Sequence, residues 1–191
     1  MKSKILPFIA VLVTFAMNAV AQGSEPLTEA RTSNPYHYIH ITGDMNVKIV
    51  QEAEPGLVVE GSKFQLLNTV TILKDDTLFI YQANVRLRES KTSLTINVGN
   101  ISLLEVSGNS RVDCTGLINT DFLTIRAYNG AQIKLDVRAL KVDSKATGSS
   151  TIHVSGITAS SRESIDGGGF IDSQSLDVID QRNSPDECYG C

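Results

Sequence analysis

LEVSGNSRVDCTG (Leu104–Gly116), LTIRAYNGAQIKLDV (Leu123–Val137) and LKVDSKATGSSTIHVSG (Leu140–Gly156) are three variants of one phrase. Each reads as two apolar alternations separated by a corner of small residues. The openings are Leu104/Val106, Leu123/Ile125 and Leu140/Val142, followed by the weaker pairs Ile157/Ala159 and Leu176/Val178. Their spacings are 19, 17, 17 and 19 residues. The second halves also align, as Val112/Cys114, Ile133/Leu135, Ile152/Val154 and loosely Ile171/Ser173. Residues two apart on a strand face the same side, so each pair offers one apolar face. Gly108, Gly130 and Gly148 stand between the halves, where the chain must turn sharply. A unit of this kind cannot bury its apolar face alone. Copies stacked at the ~4.8 Å strand spacing would place like side chains over like and build a continuous core.

The expected fold is therefore all-β: a right-handed parallel β-helix or similar solenoid, preceded by N-terminal strands, with no sustained helix after the signal peptide. An antiparallel sandwich with evenly spaced strands is the alternative. Fading of the phrase after Ile157 suggests an atypical terminal coil.

Outward from the repeat, Thr92–Val98 alternates, with Leu94, Ile96 and Val98 on one face. Asn68–Leu73 and Thr77–Tyr81 flank Lys74-Asp75-Asp76 and read as a hairpin. Asn84–Lys91 is highly charged and reads as an exposed crossing or edge. Leu57–Glu60 is a short strand. In YHYIHI (Tyr36–Ile41), Tyr36, Tyr38 and His40 share one face of a strand and His37, Ile39 and Ile41 the other. Gly43-Asp44 turns the chain into a strand carrying Val47 and Ile49.

The chain begins with Lys2 and Lys4, an apolar run from Ile5 to Val20, and Ala19-Val20-Ala21. That is the pattern of a signal peptide cleaved after Ala21. Loss of the two lysines takes the formal charge from −4 to −6. An acidic chain without a basic cluster does not suit nucleic acid, and no later run is long enough for a membrane span. The expected division is 1–21 signal peptide, 22–34 flexible leader, 35–180 all-β domain with the repeat at 101–180, and 181–191 C-terminal tail.

The phrases YIHITGDMNVKIVQ, VVEG and TVTILKDDTLFIY, followed by repeats of the form L-x-V-x-x-S/T/N-G, resemble the bacterial envelope family called putative auto-transporter adhesin, head GIN domain. The resemblance runs from about Tyr36 to Val178. It implies an exported, all-β, β-helix-like domain with an adhesin-like role. Two departures accompany it. The corners read SGNS (Ser107–Ser110), YNGA (Tyr128–Ala131) and ATGS (Ala146–Ser149) rather than SGSG. The many further strands of a translocator barrel are also missing, so the chain does not read as a complete auto-transporter.

Residues that could carry chemistry fall short of a constellation. His37 and His40 point to opposite faces, and His153 points outward between core-facing Ile152 and Val154, so no metal ligand set is expected. Ser110 in GNSRV lacks the final glycine and following helix of a nucleophile elbow. GGGFID (Gly167–Asp172) departs from a calcium-binding turn at Phe170 and does not recur. Asp172, Asp177 and Asp180 could form a carboxylate group for a cation or glycoside chemistry, though a solvated face is the simpler reading. Cys114 aligns with Leu135 and Val154 and is expected to be a buried, inert thiol. Cys188 and Cys191 form C-x-x-C and are expected to close a local disulfide in an oxidising compartment.

The functional expectation is an exported, periplasmic or surface protein of the bacterial envelope, binding an envelope protein or a glycan, with no cofactor, no catalytic residue and no nucleic-acid partner. Self-association is left open. A small carbohydrate-active enzyme and a structural envelope component acting with a partner are the alternatives.

Overall fold

The computed structural model describes residues 26–32, 34–83 and 91–179. In chain order the elements are β1 (Leu27–Thr32), β2 (Tyr38–Gly43), β3 (Met45–Gln51), β4 (Gly56–Gly61), α1 (Lys63–Asn68), β5 (Thr69–Lys74), β6 (Thr77–Gln82) and β7 (Thr92–Val98). Then come β8 (Leu103–Gly108), β9 (Arg111–Tyr128), β10 (Gln132–Thr147), β11 (Thr151–Asp166) and β12 (Phe170–Val178). All strands join one curled, half-barrel-like sheet. The class is all-β, with 74% strand and 4% helix among the described residues.

The repeat strands pair in parallel, β8 with β9, β9 with β10, β10 with β11 and β11 with β12. An antiparallel sandwich does not have these ladders. From β10 to β11 every partner lies 19 residues on, as in Ile133↔Ile152 and Ala146↔Ile165. Like side chains therefore stack. Val47, Val112, Ile133, Ile152 and Ile171 form one inward ladder across five strands. Burying an aliphatic side chain of this size stabilises by about 1.5–3 kcal/mol, so these ladders carry much of the fold.

The first members of the second-half pairs align as expected, whereas Cys114 and Ser173 fall at register breaks and the openings are corrected. Leu104 stacks on Ile125, not Leu123, and Leu123 stacks on Val142. Leu140 is half exposed and Ile157 is also exposed. The reason is a corner inside the long strand. In β10, Val137 and Ala139 face inward, Leu140 and Lys141 both lie away from the core, and Val142 faces inward again. This break in alternation shifts the inward set by one, and a two-strand reading of the tier misses it.

The stack also contains a tier that precedes the repeat in sequence. β2 pairs with β8 and β3 with β9, so Ile39 lies over Leu104, Ile41 over Val106 and Val47 over Val112. All these partners are 65 residues apart, so residues 38–51 are a further copy of the phrase. On its other side this tier meets β6 and β7, again in parallel. The chain thus visits its tiers out of order.

Beyond β6 and β7 the pairing becomes antiparallel. β5 closes on β6 through Asp75-Asp76, both at positive φ, as the hairpin reading expects. β4 pairs with β7 and β1 with β4. The leader reading of residues 22–34 is therefore corrected: Leu27–Thr32 is a strand. Between β4 and β5 sits α1, six residues long. Ser62 caps it by accepting from Gln65 N, and the Gln65 side chain accepts from Ser62 N. That S-x-x-Q signal is visible in the sequence, although the helix is too short to show periodicity. Arg31 of β1 donates to the carbonyls of Leu66 (3.0 Å) and Thr69 (2.7 Å) and ties this layer down. No helix among the described residues is long and apolar enough to cross a membrane.

Tyr36 precedes β2 and is buried, so it does not share a face with the exposed Tyr38 as the alternation expects. Its hydroxyl donates to Asn97 O (2.8 Å) on β7, with Gly56 O of β4 at 3.3 Å. Burial pushes its phenol pKa well above the ordinary value.

Candidate functional site

On the second side of each tier, the residues between the inward Val112, Ile133, Ile152 and Ile171 face solvent. Register fixes their order. One outward row is Asn46, Arg111, Gln132, Thr151 and Phe170. The next is Lys48, Asp113, Lys134, His153 and Asp172. Side-chain period two and parallel pairing make both rows straight along the stack. On β9 to β12 their members line an open groove of about 760 Å³, whose polar lining includes Arg111, Asp113, Lys134, His153, Asp172 and Ser175.

Two pairs flank the groove. Arg111 Nε donates to Asp113 Oδ2 at 2.9 Å, and this hydrogen bond holds the guanidinium still more firmly protonated. His153 Nδ1 lies 3.2 Å from Asp172 Oδ2, and Asp172 Oδ1 accepts from Gln174 N. Between the pairs, the side chains of Gln132, Lys134 and Thr151 make no hydrogen bond or ion pair among the described residues. Lys134 and Gln132 are exposed. Phe170, beside Thr151 in the first row, is 55% exposed and edge-on to the His153 ring at 6.2 Å.

The three histidines lie in three separate places. His153 is outward as expected. His37 lies just before β2 and meets Asp76 at 2.8 Å. His40 is outward on β2, 3.3 Å from Glu105, with its ring 5.2 Å from Phe79. Among the described residues, no three His, Cys, Asp or Glu side chains gather as a metal site. Asp172 and Asp177 are not brought together. Five residues of strand span roughly 16 Å, and a one-residue bulge in β12 intervenes. Ser110 serves the corner: it is fully buried, accepts from Met45 N (3.2 Å) and donates to Gly43 O (3.0 Å). Asp180, the Cys188–Cys191 pair and the cleavage point after Ala21 lie outside the described residues.

Cys114 needs correction. It is a free thiol and only partly buried. β9 carries two extra residues here, since Asp113 partners Lys134 while Leu117 partners Asp136. The bulge takes Cys114 off the Leu135–Val154 ladder and turns its Sγ to the backbone, accepting from Asp136 N at 3.1 Å. Desolvation still pushes its pKa up, against the Asp136 N–H that lowers it.

Sequence reasoning did not single out the groove residues Arg111, Gln132, Lys134 and Thr151. Their signal was available. Each stands beside a member of the Val112–Ile133–Ile152 ladder, so listing outward neighbours in register would have lined them up.

The fold has solved counterparts. A structure described as a putative lipid binding protein from Parabacteroides distasonis superposes with a TM-score of 0.63 at 17% identity, covering 81% of this chain and 76% of that one. A putative adhesin from the same organism gives 0.58 at 14% identity, covering 80% and 76%. A putative adhesin from Bacteroides fragilis gives 0.54 at 17% identity, covering 78% and 97%. At these identities the likeness concerns the fold. Among curated proteins, none matches the chain. Residues 35–181 match the profile of the family described as putative auto-transporter adhesin, head GIN domain, and the chain belongs to that family.

Proposed function

We propose that this chain is an exported, non-enzymatic β-solenoid of the bacterial envelope that binds through a flat outer side, in an adhesin-like role. In this reading the tiers are coils of a right-handed parallel β-helix, and residues 1–21 direct export and are removed after Ala21. One observation carries the binding role. Straight outward rows on β9 to β12 present uncommitted polar side chains in an open groove, whose two carboxylates, Asp113 and Asp172, are kept apart in the row by Lys134 and His153. Family membership supports the adhesin-like part. The wide separation of Asp172 and Asp177 speaks against glycoside hydrolysis, which needs two carboxyl groups facing one bond. Lipid is the ligand named for one structural neighbour. The groove's polar lining suits a hydroxylated ligand better than an acyl chain.

Fractionation of producing cells, with N-terminal sequencing and binding of the purified protein to intact cells and envelope polysaccharides, tests this. The expected result is an envelope or surface form beginning at Gln22 that binds one of these targets. A cytoplasmic, uncleaved protein that binds none of them would sink the reading.

A further inference from the structure

We propose that the Arg111–Asp172 groove binds an extended, uncharged oligosaccharide lying along the stack, one sugar ring to each strand, with Phe170 as the platform at one end. The proposal rests on the binding role above and gives it a ligand class.

Three features lead there. The first is charge. The lining carries Arg111 and Lys134 against Asp113 and Asp172, so it has no net charge with His153 neutral. The signs also alternate along one row, as Lys48, Asp113, Lys134, then Asp172 beyond His153. A polyanion laid along this row would meet Asp113 and Asp172, and a polycation would meet Lys134 and Arg111. An uncharged ligand meets neither penalty.

The second is hydrogen-bonding capacity. The outer pairs Arg111–Asp113 and His153–Asp172 are already bonded. The centre offers an amide, an ammonium and a hydroxyl from Gln132, Lys134 and Thr151. Such a mixture of donors and acceptors matches sugar hydroxyls, which do both. No enclosed apolar space is needed.

The third is shape. Four parallel strands supply the floor, at residues 111–113, 132–134, 151–155 and 172–175. Neighbouring strands are ~4.8 Å apart, close to the length of one pyranose ring in an extended chain. An oligosaccharide running across the strands would meet equivalent side chains ring after ring. Phe170 pairs with Thr151 at the end of this path, and its ring lies edge-on to that of His153. Its exposed face can take the C–H face of a sugar, which bears partial positive charge towards the π cloud.

The test is calorimetric titration of the purified protein with neutral hexose oligomers of increasing length, beside uronic-acid and glucosamine oligomers. Affinity for a neutral series should climb with length and level off at about four rings, one per strand of the floor. It should change less than about twofold between low and high salt, since no charges are neutralised. Phe170→Ala should weaken binding about tenfold and Lys134→Ala or Gln132→Ala about threefold to tenfold. Arg126→Ala, on the first side of the tier, should leave it unchanged. All four side chains are exposed, so unfolding midpoints should hold.

Binding confined to charged oligomers with a steep salt dependence would overturn the proposal. So would neutral oligomers that bind every groove variant equally well. If intact cells are bound and no isolated neutral oligomer is, this inference fails while the adhesin-like role stands. If neither is bound, both fail.

Discussion

The two ends of the stack are finished differently. Past β6 and β7 the sheet turns antiparallel, β4 and β1 extend it, and α1 fills the join between β4 and β5. Arg31 and Tyr36 tie that layer together with hydrogen bonds to carbonyls on α1, β5, β4 and β7. At the far end no such layer is described. The ladder that runs Ile39, Leu104, Ile125 reaches Ser144 and then Glu163. Ile165, Phe170 and Val178 are each more than half exposed, and no described strand pairs with the outer edge of residues 160–166. One end is covered. At the other, the Ile125 ladder turns polar at Ser144 and Glu163, while Ile171 and Leu176 remain buried on β12. Both are ways to keep a stack from presenting a bare apolar face.

Mutations can sharpen this contrast. The largest difference should come from the ladder they share. Ile133 is 1% exposed with a tier on each side, and Ile171 is 9% exposed with a tier on one. Ile133→Ala should cost about 3–5 kcal/mol and Ile171→Ala about 1–2 kcal/mol in urea unfolding. Equal losses would show that the last tier is as well supported as the middle.

Next come two glycines with the same backbone angle. Gly108 and Gly168 both have φ +86°. A Cβ on Gly108 would collide with the carbonyl oxygen of Gly43 in the next tier, whereas on Gly168 it meets nothing. Gly168→Ala should cost about 1 kcal/mol from the backbone alone. Gly108→Ala should cost about 2–4 kcal/mol, because the stacked corners must also part.

The smallest effect lies at Tyr36, on the covered end. Tyr36→Phe should cost about 1 kcal/mol at neutral pH through its lost hydrogen bond. The folded phenol has the higher pKa, so its contribution is full below the unfolded value of about 10 and declines as pH rises beyond it. Stability curves of the parent and the variant should therefore converge in alkali. Parallel curves would show that the hydroxyl is not held as described.

Much of this was legible, and the exceptions have physical causes. The ladder Val112–Ile133–Ile152–Ile171 could be read because a regular two-residue period needs no knowledge of neighbours. Leu140 was misplaced because a corner in the middle of β10 breaks that period without a glycine. Cys114 was misplaced because a bulge is invisible to alternation. Residues 38–51 share the spacing of residues 103–114, Ile39-x-Ile41-x-Gly43 against Leu104-x-Val106-x-Gly108. They were not counted as a copy because the intervening β4–β7 breaks the repeat. The groove was least legible. Its residues are ordinary polar side chains, and only interstrand register brings them into one line.

The out-of-order tier has a consequence in time. Residues 38–51 are made before all of their neighbours in the stack, which are residues 77–81, 92–98 and 103–115. Synthesis proceeds at roughly 5–20 residues per second, so this segment waits some seconds for its first partner and longer for its second. Its apolar face, Ile39, Ile41, Val47 and Ile49, has no tier to rest on meanwhile. The chain cannot assemble by adding each new tier to the last. It must hold residues 38–51 open and then close around them, which makes the interval before β8 appears the period of greatest exposure to misassociation.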